Sequence, residues 1–192
     1  MIIIFATNNQ HKLQELKSLL KKEFQLLSLN DLGCYEDVPE NQTTLEGNAA
    51  EKAFFIHRKY HYPCFADDTG LEIEALGGKP GVYSARYAGS ERDSEANIKK
   101  VLKELDGKTN RKARFRTVIS FVNSKGIEIQ FEGIVNGEIL THKQGSSGFG
   151  YDPIFKPDGY NCSFAEMLLE EKNKISHRGE AVRKLVDYIG KL

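Results

Sequence analysis

The fold of this 192-residue chain is constrained most by one feature of its sequence. Short continuous apolar runs alternate with segments in which apolar residues recur at helical spacing. The first run, IIIFA at 2–6, is β-branched and continuous, which is typical of a buried strand. After the polar stretch TNNQHK, apolar residues recur at helical spacing as Leu13, Leu16, Leu19 and Leu20. Over the whole chain the order is βα–β–α–ββ–α–ββ–α, which predicts an α/β fold with a mixed sheet.

Local signals set the predicted boundaries in the first half. FQLLSL at 24–29 is predicted to be a strand, and Thr43 followed by Glu46 matches a capping box. The helix that begins there should run to about Tyr60. YPCFA and GLEIEAL are predicted to be two separate strands, with ADDTG at 66–70 where the first strand leaves the core.

The second half is predicted in the same way. Asp93 is expected to cap a helix over 94–105, whose apolar stripe is formed by Ile98, Val101, Leu102 and Leu105. NSKG is expected to close a hairpin between two long strands. A helical segment over 163–172 should be followed by a loop, NKISHRGE. The last helix is indicated by an apolar stripe formed by Val182, Leu185, Val186 and Ile189.

Composition excludes several classes of function. Lys plus Arg and Asp plus Glu both number 27, so the formal net charge is zero and gives no global attraction to nucleic acid or an anionic membrane. No stretch approaches the roughly 20 apolar residues of a membrane span, and the opening apolar run is too short for a signal peptide. The three cysteines form no C-x-x-C pair, so we expect a reducing compartment, the cytoplasm.

The polar stretch between the first strand and the first helix is a candidate phosphate site. Free N–H groups at a helix start, with a hydroxyl, amides and a lysine close by, suit a phosphate. The stretch lacks the glycines of a Walker loop, and the alternative is a plain helix cap with solvated polar residues. The residues concerned are Thr7, Asn8, Asn9, Gln10, His11 and Lys12.

Glu40, Asp67 and Asp68 are the candidate ligands for a hard cation. Mg²⁺ prefers oxygen ligands and keeps several waters, so one or two carboxylates suffice where substrate phosphates supply the rest. Neighbouring side chains on an extended strand face opposite sides, so we expect only one of Asp67 and Asp68 to contact metal. The alternative is a solvated turn with Asp caps.

Two later stretches offer groups that suit a nucleobase. GSSGFGYDP brings backbone N–H groups, the Phe149 ring and the Asp152 carboxylate together, although it also fits a flexible loop with aromatic core anchors. EEKNKISHRGE supplies donors for a carbonyl oxygen or phosphate through Lys172, Lys174, His177 and Arg178, although it also fits a solvated charge run. No Ser-His-Asp or Cys-His arrangement supports covalent catalysis.

Together, these stretches resemble the inosine triphosphate pyrophosphatase family over nearly the whole chain. The matching motifs, in family order, are TNNQHKLQEL, NAAEKA, ADDTGLEIEALGGKPGVYSARYAG, GFGYDPIF and EEKNKISHRGEA. The resemblance implies a single domain over 1–192 with a curved mixed sheet, flanking helices, and two lobes around a central substrate cleft. It also implies a homodimer and hydrolysis of ITP, dITP and XTP to the monophosphate and pyrophosphate.

The resemblance assigns roles to residues. It implies that Thr7 to Lys12 form the triphosphate loop, that Glu40 and Asp68 bind Mg²⁺, and that Asp68 is the proton acceptor. It directs Lys52 at the phosphates and makes Thr69 a substrate contact. The residues matching the base side are Phe149, Gly150, Tyr151, Asp152, Lys172, His177 and Arg178.

One residue departs from the family pattern. The family often has two acidic residues before NA on the second helix, whereas this chain reads LEGNA. Gly47 costs about 1 kcal/mol of helix propensity relative to Ala. Either the first turn is looser here or close packing needs the glycine, and the missing carboxylate leaves the number of metal ions open.

The expected reaction is in-line attack of water on the α-phosphorus, with Asp68 orienting a metal-bound water. Selectivity is expected from donors at the purine 6-position, where hypoxanthine and xanthine carry a carbonyl oxygen and adenine an amino group. The sequence shows neither how GTP is rejected nor which of ITP, dITP and XTP is preferred. The alternatives are a pyrophosphatase of related fold acting on other modified nucleotides and a non-catalytic nucleotide-binding module.

Overall fold

In a computed structural model, residues 2–19 and 25–191 are described, and they form a mixed sheet flanked by helices. The strands are β1 (Ile2–Phe5), β2 (Gln25–Ser28), β3 (Cys64–Ile73), β4 (Pro80–Gly81), β5 (Lys112–Val122), β6 (Glu128–Ile139) and β7 (Phe155–Pro157). The α-helices are α1 (Gln10–Leu19), α2 (Leu45–Tyr60), α3 (Ser94–Glu104), α4 (Leu169–Ile175) and α5 (His177–Ile189).

The sheet has the order β2-β1-β3-β5-β6-β7, with β4 paired to β3. Both β2 and β3 lie parallel to β1, whereas β4 is antiparallel to β3 and β7 is antiparallel to β6. The predicted α/β class with a mixed sheet and flanking helices is confirmed. Among the described residues no helix combines the length and apolarity that crossing a membrane requires.

The chain divides into two compact units, each built from separate segments. The first unit contains 1–68, 117–133 and 178–192, and the second contains 69–116 and 134–177. Strands β3, β5 and β6 each run from one unit into the other.

The sheet of the first unit is covered on both faces, which explains the uninterrupted apolar run of β1. Ile3 and Phe5 pack with residues of α1 and α5, whereas Ile4 and Ala6 pack with Ala53 and Ile56 of α2. Because side chains alternate along a strand, a strand buried on both faces requires apolar residues in succession. The same alternation carries into β3, where Phe65 lies in the α1 and α5 cluster and Ala66 in the α2 cluster.

The second unit has one core beneath its strands. Leu71 and Ile73 of β3 and Phe115 of β5 pack against Ile98 and Val101 of α3. These two helix residues belong to the stripe that the sequence predicted, and Asp93 caps α3 by accepting hydrogen bonds from the backbone N–H groups of Glu95 and Ala96. The predicted hairpin between β5 and β6 is also confirmed.

The prediction of two strands separated at ADDTG was wrong. β3 is continuous from Cys64 to Ile73 and passes straight through Asp67 to Gly70. Gly70 is needed there for close approach rather than for a turn, because a Cβ at this position would lie 2.7 Å from the carbonyl oxygen of Gly81 on the paired β4. The predicted strand at 24–29 corresponds to β2. Phe24, the first residue of that prediction, and Leu20 of the first predicted helix lie outside the described residues.

The predicted capping box on α2 was wrong by one residue. Thr44, not Thr43, is the N-cap, and its Oγ1 accepts a hydrogen bond from the backbone N–H of Gly47 at 3.0 Å. Gly47 lies at a crowded position, since a Cβ there would be 2.8 Å from Cβ of Gln42. Of the two explanations for Gly47, the structure therefore supports close packing rather than a loose first turn.

The predicted loop NKISHRGE was also wrong. Helix α4 extends to Ile175 and α5 begins at His177, so that only Ser176 separates them. His177 and Arg178 therefore lie in the first turn of a helix rather than before it. The polar composition of this stretch reflects a helix–helix junction that contains buried polar residues, which a loop rule does not distinguish from solvated ones.

The corrected cap predicts different effects for two neighbouring threonines. Thr44→Ala removes an acceptor for an orphan helix N–H and should lower the free energy of unfolding by about 1 kcal/mol. Thr43→Ala, the matched control, should change it by less than about 0.5 kcal/mol because Thr43 is exposed and does not cap α2. Urea denaturation of both variants measures the difference, and a larger loss for Thr43→Ala would contradict the assignment.

Candidate functional site

The two adjacent carboxylates on β3 face opposite sides of the sheet. Asp67 continues the side of Phe65, towards α1 and α5, and contacts Lys12 and Arg178. Asp68 continues the side of Ala66, towards α2, and contacts Asn48 and Lys52. Strand alternation therefore separates the pair into two charge clusters within the first unit. The predicted opposite orientation of the two carboxylates is confirmed, whereas contact of one of them with metal stays a prediction.

Asp67 is the centre of a buried ion-pair network. Its Oδ1 lies 2.9 Å from Nζ of Lys12 and its Oδ2 lies 3.1 Å from Nε of Arg178. Arg178 also donates through Nη1 to Glu15 of α1, and both of these side chains are almost fully buried. Burial alone would raise the pKa of Asp67, but attraction to Lys12, Arg178 and Lys52 outweighs it and holds the pKa well below its usual range. Asp67 therefore remains ionised.

The attraction of Asp67 does not fully offset the cost of burying the positive charge of Lys12. Burial lowers the pKa of Lys12, and repulsion from Lys52 and Arg178 adds to this effect, so that the pKa lies below its ordinary value despite the attraction of Asp67. An anion bound beside Lys12 would act in the opposite direction and favour its charged form.

Lys52 joins the second cluster together. Its Nζ donates to Oε1 of Glu40 at 2.8 Å and to the backbone carbonyl of Asp67 at 2.8 Å, and it lies 3.6 Å from Oδ1 of Asp68. Burial lowers the pKa of Lys52, but attraction to Asp68, Glu40 and Asp67 outweighs it and raises the pKa above its ordinary value. Glu40 and Asp68 therefore meet around one permanent positive charge.

The same two carboxylates fit a hard cation in part. Burial raises the pKa of Asp68 and the nearby Glu40 raises it further, while Lys52, Lys12 and the hydrogen bond from Asn48 lower it, with a net increase. The paired carboxylates thus favour additional positive charge. Within residues 2–19 and 25–191 no group of three or more His, Cys, Asp or Glu residues could hold a metal ion. Mg²⁺ here would therefore need oxygens from substrate and water to complete its shell.

The predicted triphosphate loop has a well-defined helix cap. Oδ1 of Asn9 accepts hydrogen bonds from the backbone N–H groups of His11 and Lys12, at 3.0 and 3.2 Å, and Oγ1 of Thr7 accepts from the N–H of Asn9. Asn9 therefore supplies the cap that the sequence gave as the alternative reading, whereas phosphate binding stays a prediction. Thr7 is buried, Lys12 is partly buried, and the remaining loop residues, Asn8, Asn9, Gln10 and His11, are exposed.

The predicted base-side loop belongs to the second unit, where Asp152 organises it. Oδ2 of Asp152 accepts from the backbone N–H of Phe149 at 2.9 Å and from Nζ of Lys172 at 2.7 Å. The same ammonium lies 5.1 Å from the centre of the Phe149 ring, within the range of a cation–π contact. Tyr151 is buried and donates to the backbone carbonyl of Ser84, so it anchors the loop to the core.

The remaining predicted base-side residues are divided between the units. His177 belongs to the second unit and stacks on Phe115, with ring centres 4.6 Å apart. Arg178, the next residue, belongs to the first unit and pairs with Glu15 and Asp67. Thr69 and Gly150 are half-buried residues of the second unit. The role of Arg178 as a purine donor stays a prediction, and the contacts described here are structural.

Two residues of these clusters were missed in the sequence. Glu15 lies three residues after Lys12, and Asn48 lies four residues before Lys52, so each shares a helix face with a predicted site lysine. Both are polar residues at buried positions of an apolar stripe. That conflict between helix position and polarity was the signal that could have identified them.

Comparison with known proteins shows the family of this chain. Residues 3–188 match the profile of the Ham1 family. A protein of Christiangramia forsetii named dITP/XTP pyrophosphatase is 54% identical, and the alignment covers 100% of both chains. A protein of the same name from Flavobacterium psychrophilum is 53% identical over 98% of both chains.

Solved structures give the same relationship. The Ham1 protein of Staphylococcus aureus is 38% identical, with a TM-score of 0.91, and the match covers 100% of this chain and 99% of that one. A nucleoside-triphosphatase and dITP/XTP pyrophosphatase of Mycobacterium abscessus is 40% identical, with a TM-score of 0.78, over 97% of this chain and 99% of that one. The family resemblance predicted from the motifs is confirmed, and the chain belongs to the Ham1 family.

Proposed function

We propose that this chain hydrolyses dITP, ITP and XTP to the nucleoside monophosphate and pyrophosphate, which removes deaminated purines from the nucleotide pool. The observation that carries the proposal is full-length identity above 50% to relatives named dITP/XTP pyrophosphatase. The cluster of Glu40, Lys52 and Asp68 supports it, because the cluster combines carboxylate oxygens for a cation with a fixed ammonium for a phosphate.

The first unit would bind the triphosphate. Lys12 and Lys52 supply positive charge where negative charge accumulates as the bond between the α-phosphorus and the leaving pyrophosphate oxygen breaks. The environment of Lys12 favours an additional anion, which is consistent with a phosphate beside it. Glu40 and Asp68 would hold Mg²⁺, which when bound polarises the phosphates and lowers the pKa of a coordinated water.

Asp68 would orient the attacking water rather than remove its proton unaided. Its Oδ2 is held by Asn48, while its Oδ1 is directed to the positive side of the cluster. A carboxylate beside a dication is a weak base, because the positive charge stabilises its ionised form. Water attack at the α-phosphorus then gives the monophosphate, pyrophosphate and a released proton.

The second unit would read the base. The Lys172 ammonium can only donate hydrogen bonds, so it suits the 6-carbonyl of hypoxanthine or xanthine and not the amino group of adenine. Phe149, beside that ammonium, offers a ring for stacking. A site built around hydrogen bonds can reject a mismatched partner by about 10⁴.

The same proposal extends to the setting of the reaction. We propose a cytoplasmic homodimer that uses Mg²⁺ and binds neither nucleic acid nor membrane. The zero net charge and the absence of C-x-x-C pairs in the sequence support this setting. The full-length relatives do not favour the two alternatives, a pyrophosphatase for other modified nucleotides and a non-catalytic binding module.

A substrate panel tests the proposed reaction. With Mg²⁺, the purified protein should release pyrophosphate from dITP, ITP and XTP, and should act on ATP at least about 10³-fold less efficiently by kcat/KM. Hydrolysis should stop when EDTA is added and resume when excess Mg²⁺ restores the free cation. Orthophosphate as the primary product would refute attack at the α-phosphorus, and faster hydrolysis of modified pyrimidine triphosphates would favour the alternative enzyme.

The two faces of β3 predict different defects for Asp67→Asn and Asp68→Asn. Asp68→Asn removes a cation ligand and water-orienting group, so kcat for dITP should fall by about 100-fold or more while nucleotide binding remains. Asp67→Asn leaves the ammonium of Lys12 without its carboxylate partner and leaves the buried Arg178 with Glu15 alone, so the free energy of unfolding should fall by about 3 kcal/mol. Steady-state kinetics and urea denaturation of both variants separate the two effects.

Each variant serves as the control for the other. The Asp68→Asn protein should keep most of its unfolding free energy, because Lys52 remains paired with Glu40 when the Asp68 carboxylate is removed. If Asp68→Asn turned over dITP normally at saturation but bound it poorly, the water-orienting role would be wrong.

A further inference from the structure

Asn48 is a buried amide that uses both ends of its side chain. It lies on α2 with 1% of its surface exposed, and its Oδ1 accepts a hydrogen bond from the backbone N–H of Gln42 at 2.9 Å. Its Nδ2 donates to Oδ2 of Asp68 at 3.0 Å. Because a backbone N–H can only donate, the oxygen of the amide must face Gln42, and the NH₂ group must therefore face Asp68. The orientation of the side chain is fixed by its partners.

These two partners belong to the two segments that carry the paired carboxylates. Gln42 follows Glu40 by two residues in the loop before α2, and Asp68 is the other carboxylate, on β3. The same loop is tied to α2 a second time, where Glu51 accepts from the backbone N–H of Asn41 at 2.8 Å. Asn48 is thus a direct link between the backbone of the Glu40 loop and the carboxylate of Asp68.

The link also distinguishes the two oxygens of Asp68. Oδ2 is occupied by Asn48, whereas Oδ1 is the oxygen directed to Lys52, which also binds Glu40. A carboxylate held by one oxygen presents the other in a constant direction. Groups that orient a metal ligand in this way typically change metal affinity or activity by about 10–100-fold when removed.

We propose that Asn48 is a positioning residue for the cation site, which fixes Asp68 relative to Glu40 and so presents Oδ1 of Asp68 to a divalent cation. This inference rests on the proposed function, because it assumes that Glu40 and Asp68 bind a cation during turnover. A merely structural role would instead confine Asn48 to satisfying the N–H of Gln42 and holding the loop against α2.

Asn97 provides a matched control. It is also a buried asparagine on a helix, α3 in the second unit, and both ends of its amide are also hydrogen-bonded. Its Oδ1 accepts from the backbone N–H of Ala88 at 2.6 Å and its Nδ2 donates to the carbonyl of Ala85 at 3.0 Å. Neither partner is a carboxylate, so Asn97→Ala removes a comparable pair of amide hydrogen bonds without altering a cation ligand.

The test measures Mn²⁺ binding and the Mg²⁺ dependence of turnover in the wild type, Asn48→Ala, Asn48→Leu and Asn97→Ala. Free Mn²⁺ is followed by electron paramagnetic resonance without nucleotide. We expect both Asn48 variants to bind Mn²⁺ about 10-fold more weakly and to need about 10-fold more Mg²⁺ for half-maximal dITP hydrolysis. Asn97→Ala should change neither value, even where it lowers the melting temperature as much.

Several outcomes would overturn the inference. Mn²⁺ affinity within twofold of the wild type in a folded Asn48 variant would do so, as would an equal shift in Asn97→Ala. A wild-type protein whose hydrolysis of dITP does not depend on a divalent cation would also overturn it. A wild-type protein that does not hydrolyse dITP, but whose Mn²⁺ affinity falls in the Asn48 variants, would instead refute the proposed function and support the positioning role.

A measurement on the wild type covers the case in which the variants do not fold. The side-chain NH₂ resonances of Asn48 and Asn97 are assigned and followed by ¹H–¹⁵N correlation during titration with Mg²⁺. Because Asn48 donates directly to a proposed cation ligand, its resonances should shift while those of Asn97 stay constant. Resonances of Asn48 that do not respond to Mg²⁺ would contradict the proposal.

Discussion

The arrangement of charge in the first unit depends on the alternation of side chains along one continuous strand. Asp67 and Asp68 are adjacent in β3, so their carboxylates must lie on opposite faces of a sheet that is covered on both sides. Each carboxylate is therefore supplied with partners by different helices. Helices α1 and α5 supply Lys12, Glu15 and Arg178 to one face, and α2 supplies Asn48 and Lys52 to the other.

Burying these charged side chains on both faces of β3 costs free energy unless every charge has a partner. An ion removed from water loses several kcal/mol of hydration, which is offset only by a close opposite charge and further hydrogen bonds. Asp67 meets this requirement with two cations, and Arg178 with two carboxylates. Lys52 connects the faces, because its ammonium reaches the backbone carbonyl of Asp67 as well as Glu40. In the second unit, Lys172 and Asp152 form a comparable buried pair.

The sequence was sufficient for features that depend on local pattern. The buried run of β1, the stripe of α3 and the unequal environments of Asp67 and Asp68 follow from periods of 3.6 and 2 residues. It was not sufficient where a local signal had two physical causes. The ADDTG stretch fitted a turn, but its Gly70 allows close approach of β4, and the capping-box pattern selected Thr43 although Thr44 is the N-cap.

Long-range partners could not be predicted from these patterns. Glu15 is buried because Arg178 lies beside it, and the two residues are separated by 163 positions in the chain. Arg178 was predicted as a base-side donor, and its contact with Asp67, 111 positions away in the chain, was not predicted. Family resemblance identified residues by motif, but the contacts that distinguish a structural from a functional charge appear only in the folded chain.

The double-sided environment of β3 also limits how this chain can change in length. A residue inserted or deleted between Cys64 and Asp68 would move every later side chain of the strand to the other face. Such a change before Asp67 would turn each carboxylate to the opposite face of the sheet, away from its own partners. Length variation at this point of the chain is therefore confined to the connection before Cys64, where no alternation has to be kept.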